Sequence, residues 1–263
     1  MNRNSNTYII LYASVMVIVV ALILSFAAMK LKEKQDNNVR MEKMSDILRS
    51  IDEGAEMNTV SDKFAYIDEQ YNKYITNSYT VNTAGEVTDE DAFNVLLNLK
   101  SEYDKAPGER NLPVFESTSD DGSMRYILPV WGSGLWGPVW GYVALESDWN
   151  TIYRALFDHQ GETPGLGAEI ATPPFQDQFN GKMVFDGDRL VGISVLKGSG
   201  SSTGNIHAVD AISGGTITSR AVETMIKNGL DNYSAYITKK RAGNDTEVLP
   251  VEEFPVIDSL TVN

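Results

Sequence analysis

From Thr7 to Met29 the chain reads TYIILYASVMVIVVALILSFAAM, 23 residues without one charged side chain. A helix of about 20 residues crosses a hydrocarbon core, so this run is long enough to do so. The rival reading is a cleaved signal peptide, for which Ser25-Phe26-Ala27 offers a small-x-small site. The run exceeds the ~7–15 apolar residues of a signal core, and an uncleaved anchor is the expectation. Arg3 is the only basic side chain before it, whereas Lys30, Lys32, Lys34, Arg40 and Lys43 follow. Basic residues concentrate on the cytoplasmic side, so this count alone puts the bulk of the chain in the cytoplasm.

Beyond the anchor the chain is acidic. Net charge is −14, and the residues after Lys30 carry 20 Lys+Arg against 36 Asp+Glu. Such a body repels phosphate backbones and anionic lipid, which argues against nucleic acid as a partner. Cysteine is absent, which removes iron–sulfur ligation, thiolate zinc sites, disulfides and a thiol nucleophile together. His159 and His207 are the only histidines, too few for a multi-histidine metal centre. Redox or hydrolytic chemistry here needs oxygen ligands or a borrowed organic cofactor.

Two helical stripes follow the anchor. Val39, Met41, Met44, Ile47, Leu48, Ile51 and Ala55 form one, and Phe64, Ile67, Tyr71 and Tyr74 the other. DEDAFNVLLNLKSEYDK reads equally as helix or strand. Pro107, Gly108 and Pro113 then punctuate the chain and mark an expected boundary. MRYILPVW, GPVWGYVALE, KMVFDGDRLVGISVL and NIHAVDAI are rich in β-favouring residues, with turns at WGSG and DGD. WGSGLWGPVWGY holds Trp131, Trp136 and Trp140, which fit a hairpin and serve either packing or an aromatic wall beside a flat ligand. PPFQD at 173–177 opens a short helix. GSGSSTGN (198–205) and GLGAEI (165–170) fail both the P-loop and the dinucleotide fingerprints.

Residues 210–219, DAISGGTITS, crowd two glycines and four hydroxyls before RAVETMIKNGL, where Val222, Met225, Ile226 and Leu230 recur at helical spacing and Gly229 marks a stop. A helix start needs one capping hydroxyl, and Thr216, Thr218 or Ser219 fits that role. The same place offers unpaired N–H groups and a positive dipole end to an anion. Capping leaves Gly214 and Gly215 unexplained; a tight turn or a close-approaching group accounts for them.

Together the anchor, GLWGPVWGYVALE, HQGETPGLGAEI and DAISGGTITS resemble the C subunit of the bacterial Na+-translocating NADH:quinone reductase over most of the chain. The resemblance implies an α+β fold: an anchor (1–30), a helical and mixed region (31–115), an FMN-binding domain (116–240) and a polar tail (241–263). It implies FMN joined by a phosphoester to a threonine in the pattern Asp-x-x-Ser/Thr-Gly-Ala-Thr, a bond made by a flavin transferase. Asp210, Ser213, Gly214 and Thr216 match that pattern, Thr216 being the attachment position and Thr218 a fallback. Gly215 stands where alanine is usual, so alanine at 215 is expected to be accommodated. Glu162, Thr163, Pro164, Gly165, Leu166 and Gly167 resemble the family's loop beside the flavin.

The implied role is an electron carrier between NADH and quinone in a Na+-pumping inner-membrane complex, partnered by the other subunits. The implied placement is the periplasmic face, against the basic-residue count. No catalytic or metal-ligating residue is assigned, and full turnover is not expected from this chain alone. The alternatives are the flavin-bearing G subunit of the Rnf-type ferredoxin:NAD oxidoreductase and a non-redox anchored structural protein. The long stretch before residue 115 and GLWGPVWGY favour the quinone reductase component.

Overall fold

The computed structural model describes residues 6–243, which fall into two units dividing between Met44 and Ser45. The expected tail therefore lies, from residue 244 onward, outside the described residues. The first helix, α1 (Asn6–Ser50), contains neither Gly nor Pro, so nothing interrupts its hydrogen-bond ladder and the anchor and the stripe as far as Leu48 form one 45-residue element, while Ile51 and the exposed Ala55 lie beyond its end. Its large apolar side chains from Ile9 to Met29 are exposed, and the helix is long and apolar enough to cross a membrane. It ends where Asp52 takes the left-handed conformation and the Glu53 N–H reaches back to Leu48 O at 2.9 Å.

The second unit is α+β. Helix α2 (Lys63–Tyr74) is capped by Asp62 and leads into strands β1 (Ile75–Asn82) and β2 (Val87–Thr88). The ambiguous segment resolves into two short helices, α3 (Ala92–Leu97) and α4 (Leu99–Asp104), separated at Asn98. Strands β3 (Asn111–Thr118), β4 (Met124–Ser133), β5 (Pro138–Glu146) and β6 (Ile152–His159) complete a six-stranded antiparallel sheet in the order β2-β1-β3-β4-β5-β6. The boundary expected near residue 115 falls inside β3, and the sheet runs through it. Trp131 and Trp140 lie opposite each other in the β4–β5 hairpin with stacked rings 6.0 Å apart, and Trp136 sits in its turn.

After β6 come a short helix α5 (Pro173–Gln176), a small hairpin β7 (Phe185–Asp186) and β8 (Arg189–Leu190), a parallel pair β9 (Ser194–Leu196) and β10 (Ala208–Asp210), and the long helix α6 (Thr216–Arg241). On α6, Val222, Met225, Ile226, Leu230, Tyr233 and Ile237 are all buried. Gly229 is not the helix stop the sequence indicates; α6 continues through it to Arg241. A Cβ at Gly229 would press on the Val130 side chain, so this glycine serves close packing of α6 on β4.

Two prolines shape the sheet beneath α6. The β3–β4 ladder runs from Thr118↔Met124 to Phe115↔Ile127 and goes no further. Two positions on, the register would set Pro113 against Pro129, and neither has an N–H to give. The buried Tyr233 hydroxyl fills this opening, donating towards Pro113 O at 2.9 Å and Pro129 O at 3.1 Å. Helix α6 is thereby keyed into the sheet.

Candidate functional site

The turn before α6 is built from its own polar groups. Strand β10 ends at Asp210, Gly214 takes φ +76°, and the Gly215 N–H bonds Ile212 O at 3.0 Å. Ser219 Oγ accepts from the Ile212 N–H at 3.0 Å and donates to Gly215 O at 2.9 Å, tying the turn to the first coil of the helix. The helix-capping position belongs to Gly215, and no side chain caps α6. None of the three candidate hydroxyls is thus the cap. The N–H groups of Thr216, Ile217 and Thr218 lie in the first turn, where no intrahelical acceptor exists, at the positive end of a 26-residue helix.

The four hydroxyls differ sharply. Ser213 is exposed and Thr216 half-buried, while Thr218 and Ser219 are buried at 2% and 0% exposure. Among the described residues no hydrogen bond engages the Thr216 hydroxyl, whereas Thr218 Oγ1 donates to Glu162 Oε2 at 2.6 Å.

That bond joins the two segments that the sequence singles out. Glu162 lies just beyond β6, is buried, and donates its N–H to His159 Nδ1 at 3.2 Å. Its second oxygen, Oε1, accepts the Trp136 N–H at 2.8 Å. Gly167 fits below this cluster: a Cβ there would lie 2.6 Å from Glu162 Oε2 and press on Thr218 Oγ1. Thr163 and Pro164 are exposed, and Thr163 O accepts the N–H groups of Leu166 and Ala168, each at 3.1 Å. Gly165 turns the loop at φ +74°. Leu166 then lies over the two glycines, its Cδ2 2.6 Å from where a Gly214 Cβ would stand. Trp136, whose N–H meets Glu162, Leu166 over the two glycines and Ile217 next to Thr216 are all exposed.

Position 215 departs from expectation. A Cβ there would lie 2.8 Å from Leu166 O, 3.0 Å from Leu166 C and 2.9 Å from Ile212 Cγ2. Main chain cannot swing aside as a side-chain tip can, so in this chain alanine at 215 is not freely accommodated. Gly215→Ala is expected to cost about 1–3 kcal/mol, the usual penalty of overpacking. Equilibrium unfolding in urea measures the loss; a midpoint equal to that of the parent chain overturns it.

Asp210 works on a different neighbour. Its carboxylate accepts the N–H groups of Ser202 at 2.8 Å and Gly200 at 2.5 Å, fastening the glycine-rich loop 198–205, and its own N–H donates to Gln178 Oε1 at 2.8 Å. The Ser202 and Gly200 amides hold its carboxyl below the ordinary carboxylate range. A depressed folded value means the stabilisation is present above the unfolded pKa of about 3.9 and is lost as pH falls through the folded one. Exchange of the Gly200 and Ser202 amides is expected to accelerate below about pH 4, beyond the intrinsic trend, in wild type but not in Asp210→Asn. Parallel profiles would dissociate the loop from this carboxylate.

Sequence reasoning finds the two segments but not the link between them. Trp136, His159 and Ile217 lie inside the stretches GLWGPVWGYVALE, HQGETPGLGAEI and DAISGGTITS, but that Trp136 and His159 both bond Glu162 is visible only in the fold.

The arrangement fits a surface flavin-binding domain: an uncapped helix start beside an uncommitted hydroxyl, with exposed apolar side chains on the adjoining segments. In agreement, the sequence model of the FMN-binding domain matches residues 134–231. The C subunit of the Na(+)-translocating NADH-quinone reductase of Vibrio alginolyticus is 34% identical over 235 residues, 86% of this chain and 91% of that protein. Its counterpart in Haemophilus ducreyi is 30% identical, over 92% of this chain and 96% of that one. Among solved structures, the C subunit from Parabacteroides distasonis superposes with a TM-score of 0.67 at 40% identity, covering 79% of this chain and 97% of that chain. The Shewanella oneidensis protein gives 0.63 at 27% identity, covering 77% and 98%. The chain belongs to the family of the C subunit of the Na+-translocating NADH-quinone reductase.

Proposed function

We propose that this chain is an electron-carrier subunit of a membrane complex that oxidises NADH, reduces quinone and moves Na+, and that it carries FMN as a phosphoester on Thr216. The observation that carries the reading is the meeting of the 162–167 loop with the 213–218 turn at an uncapped helix start, where the Thr216 hydroxyl is uncommitted. Family membership favours it over the Rnf-type and non-redox alternatives.

The residues fit the group. The first-turn N–H groups of α6, the positive helix end and the Ser213 hydroxyl would hold a phosphate. Trp136, Leu166 and Ile217 would flank the flavin ring, Gly165 turns the loop, and Gly167 lets its main chain lie close to Glu162 and Thr218. Glu162 and Thr218 position the loop against the helix, and Asp210, at the end of the strand leading to the turn, fastens the 198–205 loop. When bound, the flavin supplies the redox chemistry, taking up and passing on electrons. During maturation Thr216 Oγ1 would form a bond to the flavin phosphorus as the phosphoanhydride bond of the transferase's flavin-nucleotide donor breaks; the nucleoside monophosphate leaves and the hydroxyl proton is released. Intact mass after co-expression with a flavin transferase tests the reading: a gain of one FMN less one water supports it, and no gain removes it.

The apolar helix serves as an uncleaved inner-membrane anchor, and the acidic domain lies on the periplasmic side with the other subunits as partners. Protease added to intact spheroplasts is expected to digest the domain. Protection until lysis would reverse the orientation and favour the basic flank as its determinant.

A further inference from the structure

Four hydroxyls stand within seven residues of one another, yet the proposed attachment uses one. We infer that Glu162 is the residue that restricts flavin attachment to Thr216, by withholding Thr218. This rests on the covalent reading above and adds to it a specificity determinant 56 positions away from the hydroxyl it controls.

Three properties of the contact carry the inference. First, the Thr218 hydroxyl is spent: its proton points to Glu162 Oε2 at 2.6 Å, and the residue is 2% exposed. Second, the carboxylate is itself fixed, because Oε1 holds the Trp136 N–H at 2.8 Å and the 4%-exposed side chain is hemmed by Gly134 and Gly167. A Cβ at Gly134 would come within 2.5 Å of Oε1 and one at Gly167 within 2.6 Å of Oε2, so there is little room for the carboxylate to retreat. Third, a phosphoester on Thr218 would set phosphate against a buried carboxylate, and like charges in contact in a poorly solvated site repel strongly. Ser219 is withheld differently, through its bonds to Ile212 N and Gly215 O. Ser213 is exposed but precedes the helix, so its hydroxyl lacks the first-turn position of Thr216. One hydroxyl at the helix start is left available.

The chemistry is the same at either threonine: the hydroxyl oxygen bonds to the flavin phosphorus, the phosphoanhydride of the flavin-nucleotide donor breaks, and the nucleoside monophosphate and the hydroxyl proton are released. Glu162 selects the oxygen and takes no part in the transfer. It is a positioning residue, and its signature is a change in where the flavin sits rather than a general loss.

The test co-expresses the full chain with a flavin transferase and maps the modified peptide. Wild type is expected to carry flavin on Thr216 alone, and Thr216→Ala to carry none. In the near-isosteric Glu162→Gln, which removes the charge, the label is expected to divide, with a Thr218-modified peptide appearing that is absent from wild type. Thr216→Ala combined with Glu162→Gln or Glu162→Ala is expected to gain label on Thr218, and adding Thr218→Val is expected to erase that gain. Label confined to Thr216 in Glu162→Gln, with no gain in either double variant, overturns the inference while leaving the covalent reading intact. Loss of all label from a Glu162→Gln chain of unchanged circular dichroism also overturns it, since the carboxylate would then serve Thr216 itself. Absence of flavin from wild type would remove the covalent reading first, and this inference with it.

Discussion

Thr216→Ala is expected to abolish covalent flavin while leaving the domain folded. The side chain lies in the first turn of α6, half-buried, and makes no hydrogen bond among the described residues, so its removal breaks no interaction that holds the turn. The turn is closed by Ser219, Ile212 and Gly215 instead. Alanine is the best helix former, and the change in stability should stay within about 0.5 kcal/mol. Wild type should show one added FMN less one water, carried on the tryptic peptide from Gly198 to Arg220. The alanine variant should show the unmodified mass. Thr216→Ser keeps a hydroxyl on a less restrained χ1, and partial modification is expected. Covalent flavin on Thr216→Ala, or its loss from Thr218→Ala instead, would move the attachment two residues along.

Tyr233 is expected to give the largest loss of stability among single changes on α6. Tyr233→Phe keeps the ring but leaves Pro113 O and Pro129 O facing each other in a buried gap without a donor. Each unsatisfied buried group costs about 1–3 kcal/mol, though the two carbonyls share one proton, so the total should stay near the range for one. Tyr233→Ala adds a cavity, for a total of about 3–5 kcal/mol. For a domain of this size the melting point should fall by about 2–4 °C per kcal/mol. Burial also pushes the phenol well above its ordinary range. A raised folded value means this contribution is intact below the unfolded pKa of about 10 and declines as pH rises above it. Wild type should therefore lose stability in alkali more steeply than Tyr233→Phe. Coincident urea midpoints for Tyr233→Phe and wild type would show that the opening in the sheet needs no donor.

What is legible in the sequence is what is local. The uncharged run to Met29 and the cluster DAISGGTITS each state their conformation within a few neighbours, and so does ETPGLG. What escapes depends on partners far along the chain. Pro113 reads as a breaker because it has no N–H, yet it stands inside β3, where Tyr233, 120 residues away, satisfies the carbonyl left without a ladder. Gly229 reads as a helix stop because glycine is costly within helices, but the close approach of Val130 repays that cost through packing. Gly215 reads as interchangeable with alanine because both are small, and only the position of Leu166 O shows otherwise. Glu162 and Thr218 each stand out alone; their contact is a property of the fold.

The turn before α6 has a consequence for the life history of the protein. Its geometry is set by Ser219, Gly215 and Ile212, and the core below the helix is filled by Val222, Met225, Ile226 and Leu230. Among the described residues the turn is thus shaped by the chain's own groups, without a contribution from a bound ring. If the flavin is attached as proposed, folding would not have to wait for loading. On the proposed covalent reading, a transferase that recognises the finished turn would act on folded chains only, and loading would report on folding.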